Sequence, residues 1–96
     1  MDLGLILDQV PTLNDRMSIY ARPPWKAGSV ADVALPGEDG QVLPELAERG
    51  LILFLTVGEA KQVLEVLRGR IVPRDTKREL LRHYAIHRAY PDWLVS

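Results

Sequence analysis

The chain contains no cysteine. Disulfides, thiolate metal centres and cysteine nucleophiles are therefore excluded, a composition that suits a reducing compartment. Histidine is almost as scarce, with only His83 and His87. No window approaches the roughly 18 consecutive apolar residues of a membrane helix. The opening run "MDLGLILDQV" is too short and lacks the basic start of a signal peptide, so we expect a soluble cytoplasmic protein. Glycine-rich phosphate loops are missing too. Gly37 and Gly40 flank acids, which repel phosphate. Ser18, Ser29 and Ser96 lack the surroundings of a nucleophile elbow. These absences predict no cofactor, no metal and no catalytic constellation.

What is present is the material of one small domain, spanning 1–96. At 96 residues and 47% hydrophobic composition, the chain can bury a core without staples. A short helix is expected in "DLGLILDQ", with Asp2 as its cap and Gly4 weakening it. "MSIYAR", 17–22, reads as a strand stopped by Pro23-Pro24. "SVADVAL", 29–35, alternates like a strand, and "PGEDG", 36–40, has turn composition. Pro44 and Gly50 bracket a short helix over 44–49. The five-residue apolar run "LILFL", 51–55, predicts a strand covered on both faces, placed centrally in the sheet.

Two helices are expected to close the chain. Thr56 and Glu59 have capping-box spacing, and Val57, Ala60, Val63, Leu64 and Leu67 then share one stripe. After Gly69 and a short strand at Ile71-Val72, Thr76 and Glu79 repeat the capping-box spacing. They predict a last helix over about 77–89, with Leu80, Leu81 and Tyr84 facing the core and Pro91 ending it. The expected fold is α+β: a three- to four-stranded sheet with a central apolar strand, packed by two C-terminal helices and a short N-terminal one.

His83 and His87 stand four apart, on one face of the last helix. A zinc site needs a third and usually a fourth ligand, and Tyr84 stands where H-E-x-x-H would need glutamate. A metal-free nuclease using the two imidazoles as acid and base is the enzymatic alternative. Two side chains on one turn approach a substrate from one side only, so two half-buried residues bordering the core is the better reading. Arg70, Arg74, Lys77, Arg78 and Arg82 form a basic stretch without a helix-turn-helix, zinc-finger or aromatic platform. It reads as a solvated face, and no direct nucleic-acid partner is expected.

Charge is unevenly placed. Residues 1–60 carry a net −5 and residues 61–96 a net +4. Asp32, Glu38, Asp39, Glu45 and Glu48 fall within 17 residues, with no base before Arg49. They predict a docking surface for a basic protein, since acidic clusters speed encounter with a positive partner. "RPPWKAG" reads as a rigid loop pinning Trp25 to the domain, and "PDWLVS" as a tail folding back through Trp93 and Leu94. Trp25, Asp92 and Trp93 complete the candidate contacts; if Trp93 is exposed instead of folded back it becomes a contact anchor, since aromatics dominate interface energetics.

From about Val30 to Leu94 the chain resembles a family of small bacterial domains. The segments "DVALPGEDGQVLPELAERGLILFLTVGEAKQVLEVL" and "ELLRHYAIHRAYPDWL" carry the likeness, at Asp32, Val33, Pro44, Gly50, Leu51, Thr56, Tyr84, Asp92 and Trp93. Domains of this sort are similar to the immunity proteins of contact-dependent growth inhibition systems. The resemblance implies a monomeric, non-enzymatic partner of a cognate toxin's C-terminal domain. That domain would be a basic nuclease whose cleft the acidic segment covers. A self-associating regulatory or scaffold subunit, pairing through the last helix, is the remaining alternative.

Overall fold

The structure, a computed structural model, describes residues 1–37 and 42–95. It is a small α+β domain with a three-stranded antiparallel sheet. In chain order the elements are α1 (Leu3–Asp8), a 3-10 turn (Val10–Thr12), β1 (Ser18–Ala21), β2 (Ala31–Ala34), α2 (Pro44–Glu48), β3 (Ile52–Thr56), α3 (Val57–Glu65), α4 (Arg74–His87) and α5 (Asp92–Val95).

The strand order is β2-β1-β3, which corrects the expectation that the apolar run is central. β1 takes the middle, and all four of its residues are buried. β3 is an edge strand whose Ile52 and Leu53 are exposed. Its register explains the continuous apolar run. Ile19 pairs with Leu55 but Tyr20 pairs with Leu53, so Phe54 is an extra residue in a bulge. A bulge sets two residues against one and breaks strict alternation. Consecutive Phe54 and Leu55 both enter the core as a result, which mimics the signature of a strand covered on both sides.

Alternation along β1 separates two hydrophobic clusters. Ile19 and Ala21 face the larger one, built with α1, α3 and α4. Tyr20 faces the smaller one, formed with Leu46 and Leu51. The sheet therefore lies between a layer of three helices and the single short α2. Gly50 closes α2 at φ 77°. The Leu51 amide donates to the Leu46 carbonyl and the Gly50 amide to Ala47, both at 3.0 Å. This is a Schellman turn, and its usual hydrophobic contact joins Leu46 to Leu51.

The capping box at α3 forms as its spacing predicts. Thr56 Oγ1 accepts from the Glu59 amide, and Glu59 Oε1 accepts from the Thr56 amide, both at 3.1 Å. The second one does not form. α4 begins at Arg74 behind Pro73, whose extended backbone supplies the cap position. The Thr76 and Lys77 amides already donate to the Pro73 carbonyl. Thr76 thus lies inside the first turn, and Glu79 pairs with Arg82 at 2.8 Å instead. No strand forms at Ile71-Val72, and Ile71 is fully exposed. α4 ends at His87, with Arg88 in the left-handed region at φ 53°. Asp2 occupies the cap position of α1 but its side chain makes no capping bond; its carbonyl accepts from Leu5 and Ile6.

Candidate functional site

The acidic segment is organised by α2. Leu46 seats this helix on the Tyr20 side of the sheet, so Glu45 and Glu48, three apart, remain exposed as surface neighbours. Asp32 stands opposite Tyr20 in the β1–β2 ladder and so emerges on the same side. Arg49, which caps α2, bridges to it at 3.2 Å. Arg49 is itself fixed, because its carbonyl accepts two hydrogen bonds from Arg22 at 3.1 and 2.6 Å. Asp32 is thus partly neutralised. Glu45 and Glu48 form no ion pair with a described residue. Glu38 and Asp39, with most of the turn at 36–40, lie outside the described residues.

The other candidate contacts belong to the opposite layer. Trp25 packs edge-on against Phe54 with ring centroids 4.9 Å apart. Its indole N–H donates to the Ala21 carbonyl at 3.2 Å, and its own carbonyl accepts from Arg82 Nε. Its ring and carbonyl thus fasten the loop to the helical side. Leu94 packs on the larger core and seats α5 there, with Asp92 and Trp93 exposed on it. The structure therefore gathers Asp32, Glu45 and Glu48 on one side and leaves Trp25, Asp92 and Trp93 on another.

His83 and His87 lie side by side on α4, with ring centroids 4.5 Å apart and planes tilted by 45°. His83 is half-buried but His87 is exposed, so only one of the pair borders the core as expected. His83 Nδ1 lies 3.3 Å from the Ala89 carbonyl beyond the helix end. Tyr90 lies against Tyr84, with ring centroids 5.4 Å apart and planes tilted by 47°. Among the described residues no group of three or more His, Cys, Asp or Glu side chains converges.

Part of the charge asymmetry is settled inside the molecule. Arg78 Nε and Nη2 donate to the two carboxylate oxygens of Asp8 at 2.9 and 2.6 Å. Arg78 hydrogen bonding holds the Asp8 carboxyl below its ordinary value. Partial burial opposes this, and the charges of Arg78 and Arg74 reinforce it. Partial burial pushes the Glu59 carboxyl up, but hydrogen bonds from the Thr56 amide and hydroxyl, with Arg88, outweigh it and hold it low. Arg88 reaches Glu59 at 2.9 Å and ties the end of α4 to the start of α3.

The five residues of the basic stretch part company. Arg78 turns to Asp8, and Arg82 to Glu79 and the Trp25 carbonyl. Arg70, Arg74 and Lys77 instead line an open groove of about 720 Å³ between α1, α3 and the start of α4. Sequence reading misses this groove, because Leu7 and Pro11 come to it from far along the chain. The only local signal is Leu64 and Leu67 running directly into Arg68 and Arg70. No helix among the described residues is long and apolar enough to cross a membrane. Comparison of the chain with protein-family models, with curated proteins and with solved structures returned no match.

Proposed function

We propose that this chain is a cytoplasmic immunity protein that binds a cognate toxin domain through the α2 side of its sheet and performs no catalysis. The observation that carries this reading is the exposed pair Glu45 and Glu48, held on the same side as Asp32 and free of ion pairs to described residues. Unpaired carboxylates on a rigid element attract a basic partner without first breaking internal pairs. A nuclease cleft built to hold RNA or DNA is such a partner, and an acidic face laid over it blocks substrate. The resemblance of residues 30–94 to immunity proteins points the same way.

In this reading His83 and His87 are non-catalytic side chains, neighbours along one helix with their rings tilted by 45°. The test begins with the open reading frame beside this chain. An exported protein with a separable C-terminal domain is expected there, and that domain is expected to arrest growth unless this chain is co-expressed. A complex should co-purify with both histidines replaced by alanine. An inert domain, or one whose toxicity this chain leaves unchanged, overturns the proposal.

A further inference from the structure

The groove on the helical side has a chemistry opposite to that of the α2 side. Leu7 and Leu67 are buried, Leu64 is half-buried, and with Pro11 they give it an apolar floor. Arg68, Arg70, Arg74 and Lys77 stand exposed around it. Arg70 and Lys77 form no ion pair with a described residue, and the pairs of Arg68 with Glu65 and Arg74 with Asp8 are long, at 3.8 and 3.7 Å. Lys61 is already engaged by the Leu13 carbonyl and Asp15. The Asp8 charge is satisfied by Arg78. What remains is an apolar trough under a cationic rim.

We infer that this groove is a docking site for an acidic amphipathic helix of a partner protein. Such a helix places an apolar stripe in a groove and keeps its charges at the edge, and carboxylates flanking the stripe would meet the four cations. Nucleic acid fits less well. Among the described residues no aromatic side chain lines the groove to stack a base. A small anionic molecule would be left largely wet in an open trough, whereas ligand sites bury about 70–90% of what they hold. A second copy does not supply the occupant through its acidic helix, because Leu46, the buried apolar residue of α2, is committed to its own sheet. This site lies on the opposite layer from the proposed toxin-binding side, so the two readings fail separately.

The test is fluorescence polarisation with a labelled helical peptide carrying leucine at the a and d heptad positions and glutamate and alanine elsewhere. Saturable binding to the full chain is expected. It should fall by about tenfold or more in Arg70→Glu/Lys77→Glu and weaken with salt. Circular dichroism checks that the groove variant is folded, and Arg70→Gln/Lys77→Gln replaces it if the charge reversal is not. The inference is overturned by undetectable binding to the wild type or by equal binding to the folded groove variant. Equal binding of a peptide with serine at the a and d positions, or tighter binding of a single-stranded RNA of equal charge, overturns it as well.

Discussion

Arg78 on α4 crosses α1 at Gly4 to grip Asp8. A Cβ at Gly4 would stand 3.0 Å from Cζ and Nη1 of Arg78, and 3.2 Å from Ala27 Cβ. The glycine that weakens α1 as a helix is thus what lets the guanidinium pass. Gly4→Ala should forgo the ~1 kcal/mol propensity gain of an ordinary helical Gly→Ala change. Instead it should destabilise by about 1 kcal/mol through crowding. In an Arg78→Ala background the same substitution should cost less. Urea denaturation of the four proteins in this cycle measures the coupling, and a stabilised Gly4→Ala single variant would contradict it.

Acid should act through the same contact. A carboxyl held below its unfolded value adds stability that is complete above the unfolded value and lost as pH falls through the folded one. The ordinary values are 4.5 for Glu59 and 3.8 for Asp8. Both contributions are therefore intact at neutral pH, and they decline on acidification below 4.5 and then below 3.8. Thermal melts of wild type and Asp8→Asn should differ most at neutral pH and converge in acid. A gap that widens on acidification would refute the assignment.

Loss of the α3 cap should be modest and loss of the bulge residue severe. Thr56→Ala removes an acceptor for the Glu59 amide and should cost about 1 kcal/mol. Phe54→Ala empties a fully buried site against Trp25 and should cost about 3–5 kcal/mol. That is a large share of the roughly 5–15 kcal/mol of a typical domain. Chemical denaturation orders the two, and a Phe54→Ala protein as stable as Thr56→Ala would argue that the bulge does not direct Phe54 inward.

The parts of this fold legible in the sequence are those written by local chemistry. Thr56 and Glu59 announce α3, Gly50 announces the end of α2, and Leu80 and Leu81 mark the inner side of α4, because each acts within a turn or two of its neighbours. Strand order is not local. The apolar run 51–55 carries the same residues whether it is central or bulged at an edge, and only its pairing with Ile19 and Tyr20 distinguishes the two. The false capping box at Thr76 has a similar origin, since Pro73 starts the helix before the better-looking signal arrives.

The candidate site was legible as composition but not as geometry. The cluster of acids is plain in the chain, yet which carboxylates stay free depends on Arg49 reaching back 17 positions to Asp32. The two tryptophans look like anchors in one dimension, and the packing of Trp25 on Phe54 and of Leu94 on the larger core carries them to the other layer. The groove needed α1, α3 and α4 to be brought together before its basic residues had a shared purpose.

The most direct test of the proposed function is surface-binding kinetics of the neighbouring toxin domain with wild type and Glu45→Lys/Glu48→Lys. The account predicts an association rate lowered by about tenfold or more in the variant at low salt. The difference should shrink as salt screens it, with the fold unchanged. An association rate equal to that of wild type at every salt concentration would contradict it.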